Sequence, residues 1–385
     1  MGEIRLVSSV KQDEYTSYIQ EAFDLSVGDV SEVNIPVNFN LSSLGDWQIG
    51  VICGASGSGK STILKSLGNI VEPTFDDTKC LISNFDNLSP QDACQLLSSM
   101  GLASVPTWIR PFSVLSNGEK YRASLAKSLS MSNGGGYILI DEYTSVVDRN
   151  VAKAMSNSLQ KYIRRTNKKI ILATCHYDIL EWLQPDWVYD LNKGGVLERG
   201  DYLRQRPQIQ LQVYRTEPDT WDLFKKHHYM TTELNKACVC LVFTWDDKIV
   251  AFNSILPMPS GTMQNAFREH RLVVLPDFQG LGIGSKISEF TGAILKSQGK
   301  SYYTKTVNPA LGCYRENHIA SWQATPRNKQ GMSEKDFSMN MMGGQTRVSY
   351  CHKYIGEATY NFEDLLKPIE KLRYEKSMEG QLCLF

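Results

Sequence analysis

The run Gly54-Ala55-Ser56-Gly57-Ser58-Gly59-Lys60-Ser61-Thr62 constrains this chain more than any other feature. The apolar segment Trp47 to Cys53 precedes it, and the periodic Ile63-Leu64-Lys65-Ser66-Leu67 follows. A buried strand, a G-x-x-x-x-G-K-S/T loop and a helix, in that order, make a phosphate-binding loop. The glycines let backbone amides turn inward around phosphates, and the helix N-terminus adds positive potential. Gly54, Ser56, Gly57, Gly59, Lys60, Ser61 and Thr62 are therefore the candidate ATP-binding residues, with Lys60 on the β/γ-phosphates and Ser61 a ligand for Mg2+. A chain built around such a loop belongs to the α/β class.

Length and charge narrow the rest. At 385 residues the chain is expected to hold two domains, or three. Lys plus Arg and Asp plus Glu both number 41, which excludes a uniformly basic nucleic-acid coat protein. Residues 296–347 are locally basic, and Tyr302, Tyr303, Tyr314 and Trp322 are interleaved with Lys296, Lys300, Lys305, Arg315, Arg327, Lys329, Lys335 and Arg347. That pattern reads either as a solvated face or as a groove that attracts phosphates and stacks bases. The nine cysteines lack any CxxC pair, so they are expected to be reduced thiols, not a disulfide framework or a zinc site. No apolar run reaches the length needed to span a bilayer and Met1 to Val10 carries no signal-peptide core, so a cytoplasmic location without membrane contact is expected.

The motifs after the phosphate loop resemble those of ABC-type ATPases. LSNGEKYRASLAKSL at 115–129 resembles their signature, YILIDEYTS at 137–145 their Walker B strand, and ILATCHYD at 171–178 their switch-histidine strand. Val146-Val147-Asp148 resembles the D-loop. The resemblance implies that Asp141 ligates Mg2+ with Ser61, Glu142 polarises the attacking water, and His176 contacts the γ-phosphate. It also implies an ATP-sandwich homodimer, in which Ser116 and Gly118 close over ATP held by the other subunit. Lys60 and Ser116 lie only 56 residues apart, and none of Gln91, Asn84 or Asp86 is a convincing Q-loop residue. Both points favour a soluble, non-transport ATPase.

After the polar stretch 197–208 the pattern restarts. Ala237 to Trp245 and Lys248 to Leu256 read as strands joined by an Asp246-Asp247 hairpin turn. HRLVVLPDFQGLGIGSKISEF at 270–290 then gives a strand, a loop and a helix opening on glycines. Gln279-Gly280-Leu281-Gly282-Ile283-Gly284 is similar to the Q/R-x-x-G-x-G/A motif of GNAT acetyltransferases, where small residues admit a pyrophosphate to the helix N-terminus. SYYTKTVNPALGCY at 301–314 resembles the second conserved segment of that family. The resemblance implies acetyl-CoA, or another acyl-CoA, at Val273, Val274, Gln279, Gly280, Gly282, Gly284, Ser285 and Asn308. It makes Tyr314 the candidate acid for the departing thiolate. His228, in the run His227-His228-Tyr229, and the His270-Arg271 step are the candidates for a base, against a structural role for each histidine.

NPALGCYRE and the Ser321-Trp322 pair also distantly resemble Mom-type phage proteins, GNAT relatives that modify adenine in DNA. The last five residues, QLCLF, resemble the bacterial sliding-clamp-binding peptide, with Gln381, Leu382, Leu384 and Phe385 as its anchors. A terminal strand or helix tip that packs on the parent fold is the plainer alternative. The sequence thus predicts an α/β chain with an ABC-type ATPase domain at 1–205, a GNAT domain at 206–348 and a helical tail at 349–385. The function expected is ATP-dependent acyl transfer to DNA bases, guided by a sliding clamp. A protein or small-molecule amine is the alternative acceptor, and a DNA-associated ATPase with a non-catalytic GNAT module is the alternative in kind.

Overall fold

A computed structural model of the chain describes residues 2–23, 30–131, 136–200, 207–228, 233–258, 263–329, 349–367 and 380–383. The first elements are β1 (Gly2–Ser9), α1 (Glu14–Phe23), β2 (Val30–Val37), β3 (Ile49–Cys53) and α2 (Lys60–Leu67). Then come α3 (Pro90–Ser99), α4 (Val105–Trp108), α5 (Asn117–Met131), β4 (Tyr137–Ile140) and α6 (Arg149–Thr166). The first half closes with β5 (Lys169–Thr174), α7 (Leu180–Leu183), β6 (Trp187–Asp190) and β7 (Val196–Arg199). The second half brings β8 (Gln210–Thr216), β9 (Val239–Trp245), β10 (Lys248–Pro257), β11 (Ala266–Val274) and α8 (Ile283–Ser297). It ends with β12 (Ser301–Thr306), α9 (Pro309–Asn317), β13 (Trp322–Ala324), β14 (Tyr350–Tyr354) and β15 (Gly380–Cys383).

These elements divide into two compact units. The first comprises residues 1–73, 131–147 and 160–205, and the second residues 74–130, 148–159 and 206–385. The last switch from the first unit to the second comes between residues 205 and 206, but α3 to α5 and the first part of α6, which precede it in sequence, also group with the second unit.

In the first unit the strand order is β4-β5-β3-β6-β7. β3 runs parallel to β5 and β6, β4 parallel to β5, and β7 antiparallel to β6. All five residues of β3 are buried, as an unbroken apolar run in a parallel sheet requires. Gly50 interrupts that run because a Cβ there would stand 2.0 Å from Cζ2 of Trp187. Trp47, Ile52, Ile63, Leu64, Leu139, Ile171 and Trp187 belong to the hydrophobic core of this unit. Each large apolar side chain buried this fully contributes about 1.5–3 kcal/mol. β1 and β2 make a separate antiparallel ribbon whose Ile35 joins the same core.

In the second unit an eight-stranded sheet runs β13-β14-β12-β11-β10-β9-β8-β15. β9 and β10 are joined by Asp246 and Asp247, both at positive φ (49° and 60°), the geometry of a tight hairpin turn. β11 pairs with β12 in parallel only from Ala266 to Arg268, and the two strands part beyond that point. A bulge between Ser254 and Ile255 on the other side leaves His270 as the extra residue of β11. α8 packs so closely on the sheet that a Cβ at Gly292 would meet the Tyr354 ring at 2.5 Å.

Two expectations need correction here. Tyr350–Tyr354 is a strand of the large sheet, not the start of a helical tail, and the only regular helix after it among the described residues is a single 3-10 turn at Glu363–Leu366. Within the basic-aromatic segment, Tyr302, Trp322 and Arg315 are core side chains only 1–2% exposed and cannot line a stacking groove, while Lys335 and Arg347 lie outside the described residues.

Candidate functional site

The phosphate loop leaves β3 at Gly54 and enters α2 at Lys60. Each glycine has a steric reason. A Cβ at Gly54 would meet the Ser58 hydroxyl at 2.5 Å, and one at Gly59, where φ is +95°, would strike Ile35 at 2.6 Å. Gly57 also takes a positive φ, +78°. The Lys60 ammonium folds into the loop and donates to the carbonyls of Gly54 (2.9 Å) and Ala55 (2.6 Å). Ser56 is exposed, while Ser61 and Thr62 are half-buried in the first turn of α2, whose amides have no intrahelical acceptor.

A side-chain network that the motif does not announce supports this loop. The Ala55 amide donates to the Asn192 side chain (2.9 Å), and the Asn192 amide and the Tyr177 hydroxyl both donate to Asp190 Oδ1 (3.0 and 2.8 Å). Burial, reinforced by Asp190, pushes the Cys53 thiol up to about 12 and keeps it inert. Burial and the bond to Asp190 likewise raise the Tyr177 hydroxyl.

Asp141 and Glu142 follow β4 directly. Asp141 Oδ1 accepts from the Glu142 amide (2.8 Å), and Glu142, exposed, sits at φ +48°. Thr144 is at φ +68°, which a β-branched residue adopts only under strain of about 1–3 kcal/mol. Its surroundings hold it there. The Tyr143 amide donates to Ala173 O (2.8 Å), and the Thr174 hydroxyl donates to Tyr143 O (2.9 Å) while accepting from the His176 amide (3.1 Å). The ends of β4 and β5 are thus laced together, which brings Asp141, Glu142 and His176 to the same sheet edge as Lys60.

In the second unit, Ser116 precedes α5 and forms a reciprocal cap with Glu119. The Ser116 amide and hydroxyl both donate to Glu119 Oε2 (2.9 Å each), and the Glu119 amide donates back to Ser116 Oγ (3.4 Å). Thr107 donates to the other carboxylate oxygen (3.0 Å). Burial alone would raise the Glu119 carboxyl, but the bonds from Ser116 and Thr107 hold it below its usual range. Gly118 follows in the first turn of α5.

The second glycine loop connects β11 to α8. Gly280 (φ +92°) and Gly282 (φ +86°) both take the left-handed conformation that its course demands. Gln279 closes the loop by donating Nε2 to Val274 O (2.9 Å). A Cβ at Gly284 would already press Val274 at 3.3 Å. Ser285 lies in the first turn of α8, where amides again lack intrahelical acceptors. Because β12 leaves β11 after Arg268, no strand among the described residues pairs with the backbone edge from Glu269 to Val274 on that side. Val273 and Val274 therefore border a sheet edge, unpaired on that side among the described residues, that leads to the loop.

Residues 236–318 match the family model of the acetyltransferase (GNAT) domain. The chain carries a GNAT domain over this span. Its first half is homologous to ABC-type ATPases. It is 27% identical over 172 residues to the phosphonates import ATP-binding protein PhnC of Hydrogenovibrio crunogenus, covering 45% of this chain and 62% of that protein. It is 25% identical over 227 residues to the lipoprotein-releasing system ATP-binding protein LolD of Ehrlichia ruminantium, covering 47% of this chain and 96% of that protein. A Bacillus subtilis acetyltransferase solved in complex with CoA covers 37% of this chain and 97% of its own at 13% identity, with a TM-score of 0.28.

Within the GNAT domain, the residues named from sequence fall in different environments. Tyr314 donates its hydroxyl to Glu289 Oε1 (2.9 Å) and stacks on the His318 ring, and burial and Glu289 keep that hydroxyl protonated well above its ordinary range. Asn308 caps α9, its Oδ1 accepting from the amides of Ala310 and Leu311 (2.9 and 3.2 Å). His228 packs edge-on to Trp221, and His270 Nε2 lies 3.2 Å from the Asn235 amide. Burial, and next the Arg271 cation, lowers both imidazoles to about 4, so each is neutral at pH 7.

Sequence reasoning missed a buried ion pair where β11 and β12 part. Arg315 Nη2 donates to both oxygens of Glu269 (2.9 and 3.0 Å) and to Ser288 Oγ (2.8 Å), while Tyr302 and Ser288 donate to Glu269 Oε2 (2.8 and 2.7 Å). The ion pair runs through Nη2 alone, with Nε and Nη1 of Arg315 buried and unbonded among the described residues, and the cluster ties α8 and α9 to the sheet. No motif spans these four positions. Of the tail, Gln381 and Leu382 lie on β15, paired in register with Gln212 and Leu211 of β8, and Leu384 and Phe385 lie outside the described residues. Among the described residues, no group of three metal-ligating side chains gathers and no helix is long and apolar enough to cross a membrane.

Proposed function

We propose that the chain couples ATP hydrolysis to transfer of an acyl group from acyl-CoA to an amine. The observation that carries this reading is the Gly280–Gly282 loop. It combines two left-handed glycines, a 15-residue helix whose first amides have no intrahelical acceptor, and a strand edge unpaired on one side among the described residues, inside a GNAT domain. A pyrophosphate suits those amides, and an extended pantetheine suits the edge. Acetyl-CoA, when bound, supplies an activated thioester carbonyl.

The chain's own groups then divide the work. The amine nitrogen bonds to the carbonyl carbon as the carbon–sulfur bond breaks. His228 or His270, neutral at pH 7, takes the amine proton, and Tyr314 returns one to the thiolate after its hydroxyl leaves Glu289. In the ATPase half, the glycines that a Cβ would fill fit a triphosphate, and the hard oxygens of Ser61 and Asp141 fit Mg2+. Lys60 neutralises phosphate charge, Glu142 orients water, and His176 senses the γ-phosphate. Ser116 and Gly118 close over nucleotide held by a second copy, making a homodimer.

The experiment pairs Lys60→Ala with Gly282→Val. The first is expected to abolish ATP turnover and keep acetyl-CoA binding, and the second the reverse. Loss of both activities in both variants with intact folding would contradict two separate sites.

A second reading places the acceptor on a DNA base and guides the chain there by a sliding clamp. The exposed cations Lys305, Arg327 and Lys329 and the QLCLF tail support it. The clamp peptide would first have to leave β8, with which Gln381 and Leu382 are paired. Nucleoside mass spectrometry of DNA from cells expressing the active chain tests it; unmodified DNA would rule it out and leave a protein or small-molecule amine as acceptor.

A further inference from the structure

The outer side of the acyl-CoA loop is held by residues of the ATPase half. Arg122, on α5 four residues after Gly118, is only 2% exposed. Its Nε donates to Gly118 O (3.2 Å), and Nη1 donates to Gly101 O (3.1 Å) and to Pro276 O (2.6 Å). Its Nη2 lies 3.9 Å from Asp277. One guanidinium therefore spans the glycine of the signature motif and Pro276 of the acyl-CoA loop. Gln279 Oε1 accepts from the Ala103 amide (2.9 Å). From α6, which begins just after Asp148, Asn157 Nδ2 donates to Gly280 O (3.0 Å). Ser158 lies so close that a Cβ at Gly280 would be 1.9 Å from its hydroxyl.

All of these bonds to the loop's backbone go to its carbonyls. In a trans peptide the carbonyl of one residue and the amide of the next point in opposite directions. Fixing Gly280 O on Asn157 therefore turns the Leu281 amide away from α6 and toward the side where a phosphate would lie. α5 opens on the signature motif and α6 follows the D-loop, so a nucleotide that shifts either helix must also shift the carbonyls they hold. A packed, buried contact of this kind transmits displacement because it cannot stretch.

We propose that Asn157 and Arg122 are positioning residues of the acyl-CoA site, through which the nucleotide state of the ATPase half sets acyl-CoA affinity. This rests on the two-site reading above. The test uses the full chain and calorimetric titration of acetyl-CoA, alone and with a non-hydrolysable ATP analogue plus Mg2+. The dissociation constant is expected to change by about fivefold or more, the usual range for coupled sites. By reciprocity, saturating acetyl-CoA must change the analogue's dissociation constant by the same factor. In Asn157→Ala the change is expected to fall below about twofold on either side, while the analogue's affinity measured alone is kept. Arg122→Lys, which retains the buried charge but loses the fork, serves as the second variant and is expected to behave alike. An acetyl-CoA affinity indifferent to nucleotide in the unmodified chain would overturn the proposal, as would coupling that persists unchanged in both variants. A chain that binds no acetyl-CoA at all would overturn the two-site reading itself, and this proposal with it.

Discussion

Arg122 Nη1 donates to Pro276 O at 2.6 Å, joining α5, which opens just after Ser116, to the glycine loop that leads into α8. These residues are 154 positions apart in the chain. The contact explains why α3 to α5 group with the acyltransferase half and not with the phosphate loop that precedes them in sequence. It also places a buried cation where its loss would leave several carbonyls without a donor.

Gly280 tests the tightness of that joint. Ala at this position must adopt φ +92° and share space with Ser158 Oγ. Gly280→Ala is expected to cost about 2 kcal/mol or more in stability and to weaken acetyl-CoA binding. Urea unfolding and titration check the two effects. An unchanged midpoint would mean that the loop and α6 do not meet as described.

Glu142 and Lys60 are expected to dominate ATP turnover. Glu142→Gln should lower the hydrolysis rate by about 100-fold or more while nucleotide still binds, whereas Lys60→Ala should lose binding as well. Equilibrium binding of a fluorescent ATP analogue beside a phosphate-release assay separates the two outcomes.

Tyr314 is expected to matter for rate and not for cofactor affinity. Tyr314→Phe should reduce acyl transfer by about 100-fold if its hydroxyl protonates the thiolate, with the acetyl-CoA dissociation constant unchanged. Equal rates in the variant would assign the hydroxyl to its bond with Glu289 alone.

Acid sensitivity follows from the two low-pKa histidines. His228 and His270 titrate at about 4 in the fold, against the ordinary 6.5 that an unfolded chain would show. Between those values the unfolded chain binds protons that the native one refuses. The stability present above pH 6.5 is therefore lost as pH falls toward 4. The urea midpoint should drop from pH 7 to pH 5, and His228→Gln combined with His270→Gln should flatten that drop. A midpoint that rises on acidification would contradict the burial of these rings.

What the sequence made legible was contiguous. The phosphate loop, the Walker B strand, the Asp246-Asp247 turn and the Gly280–Gly282 loop each need a fixed residue type at a fixed short spacing, because local backbone geometry demands it. The two-unit division was not legible, since it depends on Arg122, Asn157 and Ser158 meeting a loop more than a hundred residues away. The burial of Tyr302, Trp322 and Arg315 was hidden for a related reason. Aromatic and cationic residues in alternation look alike whether they face solvent or, as here, stack inside the sheet with Arg315 over the Trp322 ring at 4.8 Å. Tyr350–Tyr354 was missed as a strand because its partners, β12 and β13, lie far earlier in the chain.

The central claim is that one chain holds both a nucleotide site and an acyl-CoA site. Titrating acetyl-CoA into the full chain, with Gly282→Val as control, tests it most directly. The account predicts one acetyl-CoA per chain with micromolar affinity, lost in the variant while ATP binding persists. No binding to the unmodified chain, or equal binding to the variant, would contradict it.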